Sequence, residues 1–501
     1  MQPFMNKGPR VFPVLLLAAV FAGSCTAVHC ALAAPNAEET NLYAQYSSAF
    51  AEELQQLAVE CEQAGEEDLA KRIRNWLPQR ALDKIYLFHP GPPATTVGGD
   101  SQLADKFQQL CQQHGEDLLE LARKFAAHKQ ATESIMILYE SLYHAPNLAA
   151  ARQLLDYQKD GNHWLTPERK QRKEAGEIWS EEFGWLPADH LPRYQKGERY
   201  YRGRWIRADK DAQLHKEIRQ GWKIETEHYE VTTNHSPQAG VRVALQLEQL
   251  YSAWWQMFAA YHLSAQDLKK MFSQGTPPQR SSGRHKVVYF RDRSDYNATL
   301  GQLQPGIEGT LGFYFENQNT AYFFAAAEGN PEEKELERIT LWHEATHQLF
   351  SEMIPARKVS RLKNNFWITE GIACFMESLQ PAAAYTTLGG LQEGRLPAAR
   401  HRFEQDQFYV PFERLVAYSA ADLQRDPRIR TLYSQAAGQA AFLMLADEGR
   451  YRQAVTAYLR AVYRGSARPE TLARESGVSL TKLDSECREF LSAGDAAEED
   501  R

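Results

Sequence analysis

Apolar residues recur at helical spacing through the first third of the chain. The segments 41–76, 101–128 and 131–158 place them at steps of three and four residues, the period of a helix with one buried face. The interval from Pro78 to Gly99 contains proline and glycine and is predicted to be a loop. We therefore expect residues 40–158 to form helical hairpins that pack on one another. Because this region shows neither ligand spacing nor a catalytic cluster, we interpret it as a packing or partner-binding module.

The pattern changes in residues 159–221, where a weak repeat occurs three times. Trp164, Trp185 and Trp205 each follow a glycine closely and precede an aliphatic residue, and charged, turn-rich spacers separate them. This pattern favours short β-hairpins in a small tryptophan-containing β module. Exposed tryptophans can stack on sugars or peptides, but a small module needs large apolar groups for its core, and we favour the core role.

From Trp222 the chain alternates between strand and helix periods. Strands are predicted at 228–232 and 286–290, a long helix begins at Ser236 and Pro237, and a hairpin is predicted at 312–315 and 321–324. After residue 377 the pattern is helical, apart from a turn-rich passage around Gly389 and Gly390. These elements predict an α+β domain that spans residues 222–492.

The segment after the hairpin has the signals of a helix start and a helix end. Asn330 suits the N-cap, Pro331 the first helical position, and the acidic residues that follow favour the positive end of the helix dipole. Pro355 is expected to end the helix. The inward stripe is predicted to contain Leu336, Ile339, His343, Thr346, His347 and Phe350.

His343-Glu344-Ala345-Thr346-His347 has the H-E-x-x-H spacing. On a helix, His343 and His347 lie on one face and can bind one metal ion, for which zinc is expected. Glu344 then flanks the ion without binding it and can act as a general base toward a water molecule. A catalytic zinc site needs a third protein ligand, and Glu370 suits this role because it lies among apolar residues.

The metzincin pattern is excluded, because it requires Gly and His where this chain has Phe350 and Met353. Instead, the H-E-x-x-H motif followed by Trp367-Ile368-Thr369-Glu370-Gly371-Ile372-Ala373 resembles the gluzincin superfamily. It resembles more closely a family of secreted bacterial gluzincin-like proteins with a W-x-x-E-G-x-A segment and no assigned substrate. The similarity covers residues 222–489 approximately. It implies a zincin fold with His343, His347 and Glu370 as ligands and Glu344 as base.

The resemblance also carries expectations about the surroundings of the metal. Thermolysin-like enzymes place an Asp four residues after the glutamate ligand to orient a histidine, where this chain has Cys374, and Glu377 can substitute from the same face. Gluzincins often place a tyrosine near the zinc to stabilise the oxyanion, and Tyr433, at the start of an apolar helix, is our candidate. In a zincin fold an edge strand holds extended substrate, and the predicted hairpin is expected to supply that strand.

The first residues have the pattern of a targeting segment. Lys7 and Arg10 precede an apolar run too short to span a bilayer comfortably, and Ala31-Leu32-Ala33 fits a cleavage site. Residues 1–33 are therefore expected to be a signal peptide that exports the protein to the periplasm, cell surface or medium. Lipoprotein processing at Cys25 is the less favoured alternative, because the residues before it lack a large aliphatic side chain. The acidic tail, residues 493–501, is expected to be disordered.

Composition limits the partners. The formal charge is −7, and removal of residues 1–33 takes away Lys7 and Arg10 but no acid, which gives −7 − 2 = −9 for the mature chain. An acidic chain without a basic run argues against nucleic acid as the main partner, and no further apolar run predicts a membrane span. Cys61 and Cys111 are expected either to form a disulfide or to be buried unpaired.

Together these patterns predict an exported, zinc-dependent, peptidase-like hydrolase of the α+β class that acts on peptide or protein substrates. The alternative is a catalytically silent zincin-fold protein that binds or assembles partners in the cell envelope.

Overall fold

The computed structural model describes residues 37–90, 101–278, 283–327, 329–356 and 362–492. The predicted signal peptide with Cys25 and the predicted disordered tail lie outside these residues. Within them the protein is a mixed α+β structure, as the sequence predicts.

The N-terminal region is mainly helical. Helix α3 packs along α4, and α1 packs against α2 and α3. Cys61 and Cys111 lie buried and unpaired in the core that these helices enclose, so the unpaired alternative applies. The elements are α1 (Ala37–Gln63), α2 (Glu67–Arg74), β1 (Lys84–Phe88), α3 (Gln102–Ala127), α4 (Ala131–His144) and α5 (Ala149–Leu154).

The three predicted hairpins follow, and each is succeeded by a short helix. Their tryptophans are half-buried, and guanidinium groups cover two of them, since Arg172 lies over Trp185 and Arg193 over Trp205. The elements are β2 (Gln158–Asp160), β3 (His163–Leu165), α6 (Pro167–Glu174), β4 (Glu177–Ser180), β5 (Gly184–Pro187), α7 (Leu191–Gln195), β6 (Glu198–Tyr201), β7 (Arg204–Arg207) and α8 (Ala208–Leu214).

A five-stranded sheet comes next, in the order β11-β12-β10-β9-β8. Strand β10 is parallel to both of its neighbours, whereas β11 is antiparallel to β12 and forms an outer edge. The elements are β8 (Trp222–Glu225), β9 (Tyr229–Thr233), α9 (Pro237–Met257), α10 (Ala259–His262), α11 (Ala265–Gln274), β10 (His285–Phe290), α12 (Arg293–Leu300), β11 (Gly312–Phe315) and β12 (Thr320–Phe324).

The remainder is mostly helical, and α14 packs closely on α18. The start of α18 is Ile429, so Tyr433 lies in its second turn and not at the helix start that the sequence suggests. The elements are α13 (Pro331–Glu352), α14 (Trp367–Met376), β13 (Gln380–Pro381), β14 (Tyr385–Gly389), α15 (Leu396–Glu404), α16 (Phe412–Leu415), α17 (Ala420–Arg425), α18 (Ile429–Leu445), α19 (Arg452–Tyr463), α20 (Thr471–Ser476) and α21 (Leu480–Ser492).

One part of the predicted loop between Pro78 and Gly99 is a strand, and that prediction is wrong there. Strand β1 pairs antiparallel with β14, in the passage that the sequence marks as turn-rich. Gly389 ends β14 with φ +84°, and a Cβ at this position would lie 2.9 Å from the Asp83 carbonyl oxygen. Glycine is required by this close approach, so its presence signals strand pairing as well as a turn.

One large hydrophobic core joins several parts of the protein, and the core around Cys61 and Cys111 is separate from it. The large core includes Leu118 and Leu142 from the N-terminal helices, Tyr229 and Val287 from the five-stranded sheet, and Leu459 from the C-terminal helices. Helices α3 and α4 therefore share buried residues with the rest of the molecule, whereas the buried residues of α1 and α2 belong to the core around Cys61 and Cys111. Among the described residues no helix has the length and apolar character needed to cross a bilayer.

Candidate metal centre

Helix α13 begins as the sequence predicts. The Asn330 side chain accepts a hydrogen bond from the Glu333 backbone N–H at 3.2 Å, and Pro331 is the first helical residue. Leu336, predicted on the inward stripe, is 47% exposed, because the first turns of α13 extend beyond the core. Further along the helix, buried Leu341 and Leu349 anchor α13, and the two histidines face a cleft.

Helix α14 supplies the acidic residue of the cluster. All of its residues are buried, including Glu370, which is 7% exposed. The next residue, Gly371, allows α14 to approach α18 closely, since a Cβ there would lie 2.7 Å from the Ala436 carbonyl oxygen. The Glu-Gly pair of the W-x-x-E-G-x-A segment therefore combines a buried carboxylate with the helix contact that holds it in place.

The structure brings His343, His347 and Glu370 together. Glu370 Oε2 lies 3.4 Å from His343 Nε2 and 3.5 Å from His347 Nε2, and the two Nε2 atoms are 3.3 Å apart. Three atoms of ligand type thus converge on one point at the cleft. These residues could hold a metal ion.

The electrostatics of the cluster favour positive charge at its centre. Burial alone would raise the pKa of Glu370, but the adjacent His347 and His343 rings lower that pKa below its ordinary value. Burial alone would lower the pKa of His343, but contacts with Cys374 and with two carboxylates raise that pKa well above its ordinary value. A proton and a cation therefore compete for the same donor atoms.

A second group of residues orients His343 from behind. Glu377 Oε1 lies 2.8 Å from His343 Nδ1, and Glu377 Oε2 accepts from Arg395 Nε at 2.7 Å. Glu377 therefore contacts the histidine ring that we expect it to orient. Cys374 Sγ lies farther away, 4.0 Å from His343 Nδ1. His343, Cys374 and Glu377 are also close enough together to hold a cation. The charge of Arg395 opposes a cation there, so an orienting role for Glu377 fits better.

Glu344 lies beside the cluster and makes a different contact. The backbone N–H of Tyr314, in β11, donates to Glu344 Oε2 at 3.0 Å. Tyr433 lines the same cleft. Burial, followed by the charge of the nearby Glu370, raises the pKa of Tyr433 far above its ordinary value. The Tyr433 hydroxyl also interacts with the Glu370 carboxylate, which places it next to the candidate metal ligands.

The cleft has a volume of about 820 Å³. Its lining includes all four residues of strand β11 together with His343, Glu344, His347 and Glu370. Arg395 and Arg430 also line the cleft. Sequence reasoning did not find these arginines, because they lie in or next to irregular segments without a motif. It also did not find the Tyr314 backbone contact, which has no side-chain signature.

No protein-family model matches the chain, and no curated protein matches it.

Proposed function

We propose that this protein is a zinc-dependent hydrolase that cleaves peptide bonds. The observation that supports it most strongly is the separation of the three ligand-type atoms, which is 3.3–3.5 Å. A tetrahedral ion bound at about 2.1 Å separates its ligand atoms by about 3.4 Å. His343, His347 and Glu370 therefore fit a zinc ion without rearrangement, and two neutral nitrogens with one carboxylate are a donor set that zinc prefers.

Zinc in this position would lower the pKa of a water molecule and polarise a substrate carbonyl group. Glu377 keeps the His343 ring in the orientation in which Nε2 faces the cleft, because it accepts from Nδ1 on the opposite side of the ring. Arg395 in turn holds Glu377. This pair fixes the ring before any ion binds.

Glu344 is the proposed general base. Its Oε2 accepts from Tyr314 N–H, which leaves Oε1 for the proton of the attacking water. The Tyr433 hydroxyl interacts with the Glu370 carboxylate, and with Glu370 bound to a metal ion it would turn to donate its hydrogen to the carbonyl oxygen as negative charge develops there.

A peptide is the substrate class that the wall of the cleft favours. Strand β11 is an outer strand, bonded to β12 on one side. In an antiparallel pair, alternate residues direct both backbone groups away from the partner strand. Tyr314 directs its backbone N–H to Glu344 and not to β12. The backbone groups of Tyr314, and those of Gly312 two residues earlier, therefore point away from β12. An extended peptide can add to such an edge by backbone pairing, with the Tyr314 N–H kept for Glu344.

The test uses Glu344→Gln, which keeps size and shape but removes the basic carboxylate. Since general-base catalysis contributes about 10² to 10⁴-fold, hydrolysis of an unbiased peptide mixture is expected to fall by that order while the zinc content stays the same. Glu332→Gln, an exposed position on the same helix, is the matched control and should retain full activity.

Two outcomes would contradict the proposal. A wild-type protein that holds zinc but cleaves no peptide in a broad library would favour a binding or assembly role. Full activity in Glu344→Gln would remove Glu344 as the base.

A further inference from the structure

Tyr314 contacts helix α13 at two places. Its backbone N–H donates to Glu344 Oε2 at 3.0 Å, and its hydroxyl donates to Glu352 Oε1 at 3.1 Å. Glu344 and Glu352 are eight residues apart on α13, which corresponds to about 12 Å along the helix axis. A single residue therefore attaches the edge strand to α13 across more than two helical turns.

Glu352 has further partners that fix its position. Gln348 Nε2 donates to Glu352 Oε1 at 3.0 Å and to the Lys286 carbonyl oxygen at 3.1 Å. His285 Nδ1 lies 2.7 Å from Glu352 Oε2. Gln348, His285 and Tyr314 are 0%, 5% and 6% exposed. Because an unpaired buried polar group costs free energy, such a network favours one arrangement of its members, and the Tyr314 hydroxyl has a fixed acceptor.

The neighbours of Tyr314 in the strand do not make such contacts. The rings of Phe313 and Phe315 pack against each other at 4.7 Å between centroids. Side chains alternate between the two faces of a strand, so these two rings and the Tyr314 ring lie on opposite faces. The attachment of β11 to the far end of α13 therefore depends on the Tyr314 hydroxyl.

We propose that Tyr314 is a positioning residue for Glu344. The hydroxyl, anchored on Glu352, sets the place of the strand, and the strand's N–H then holds Glu344 Oε2 so that Oε1 faces the cleft. This inference rests on the proposed function for its catalytic consequence, but the anchoring itself is independent of any reaction.

The first experiment measures the anchoring in metal-free protein. Tyr314→Phe removes only the hydroxyl, and the exchange of the residue-314 amide hydrogen should become about 5-fold faster, the factor expected when a hydrogen bond of ordinary strength is weakened. Tyr322→Phe is the matched control, because its hydroxyl bonds Gln318 Oε1 within the same hairpin at 2.6 Å. That variant should leave the residue-314 amide unchanged. Unchanged exchange in Tyr314→Phe, or an equal increase in both variants, would overturn the proposal.

The second experiment measures the catalytic consequence in the zinc-loaded protein. Tyr314→Phe is expected to lower kcat about 10-fold, because a misplaced base loses transition-state stabilisation, while KM and zinc content stay within about 2-fold. Tyr322→Phe should keep the wild-type kcat. A wild-type kcat in Tyr314→Phe would overturn the positioning role. Hydrolysis absent from the wild type would instead overturn the proposed function, and the exchange measurement would still decide whether Tyr314 holds the strand against Glu344.

Discussion

Two histidine pairs in this protein have nearly the same ring geometry. The rings of His114 and His144 lie 4.7 Å apart at 79°, and those of His343 and His347 lie 4.9 Å apart at 77°. The first pair joins α3 and α4 in the N-terminal region, whereas the second lies within α13. The rings alone therefore do not distinguish a metal site from a packing contact.

The surroundings of the two pairs are different. His114 stacks on Phe50 at 3.9 Å, and His144 Nδ1 accepts from Trp76 Nε1 at 3.0 Å. The first pair is thus surrounded by aromatic groups, whereas the carboxylates of Glu370 and Glu377 surround His343 and His347. Among the described residues, both groups that could hold a metal ion include His343, and neither includes His114 or His144.

The two environments shift the pKa values of their histidines in opposite directions. Burial lowers the pKa of His114 to about 4, and burial together with the neighbouring His114 lowers the pKa of His144 well below its ordinary value. The pKa of His343 is instead raised, against the effect of burial, by its contacts with Cys374, Glu370 and Glu377. The partners of a buried histidine therefore decide whether its site attracts a proton or a cation, or excludes both.

The largest expected effect is a loss of zinc affinity when the surroundings of the second pair are changed, but not when the first pair is changed. Glu370→Ala removes the carboxylate of the proposed metal site, so zinc affinity should fall by more than about 100-fold, beyond the loss typical of an outer-shell change. His144→Phe should keep the zinc content of the wild type. Metal analysis after dialysis measures both variants. Equal zinc content in Glu370→Ala and wild type would remove Glu370 from the ligand set.

An intermediate effect is expected on the free energy of unfolding when the pH is lowered. When the folded-state pKa of a histidine is lowered, the unfolded chain takes up a proton more readily than the folded protein does. The free energy of unfolding therefore has its full value above the unfolded pKa of about 6.5 and decreases as the pH falls toward the folded pKa. By pH 5, His114 alone should cost about 2 kcal/mol of unfolding free energy. Urea unfolding of the metal-free protein at pH 7.5 and pH 5 measures this loss. His114→Phe should show a smaller loss between the two pH values, and an equal loss would exclude His114 as a source.

The smallest expected effect concerns how the first pair is held. Trp76→Phe keeps an aromatic ring but removes the N–H that donates to His144 Nδ1. The unfolding free energy should fall by about 1 kcal/mol, the usual contribution of such a bond. Urea unfolding provides the value, and zinc affinity should not change. A change in zinc affinity would show that the two pairs are coupled, which the comparison does not predict.

The sequence predicts the parts of the site that depend on local pattern. Asn330 and Pro331 begin α13 where the capping signals lie, the hairpin of β11 and β12 forms where apolar residues flank polar ones, and the spacing of His343 and His347 places both on one face. Glu370 joins them because a buried carboxylate on an apolar helix needs partners.

Features that depend on distant partners were not predictable in the same way. Arg395 reaches Glu377 from an irregular segment without periodicity. Strand β1 needs β14 before its short apolar run is distinguishable from a loop. Tyr314 acts on Glu344 through a backbone N–H, a group that every residue except proline has. In each case the information lies in the packing of elements and not in the local pattern of residues.

The pairing of β1 with β14 affects the order in which the protein assembles. The two strands are separated by about 300 residues, so β1 emerges from the ribosome long before its partner exists. Until then the strand is an unpaired edge, which is a site at which chains can aggregate. A fragment that begins at Trp222 would leave β14 without β1 and expose the same edge from the other side. Attempts to produce the C-terminal part alone should therefore include residues 84–88, supplied in the same chain or as a separate segment.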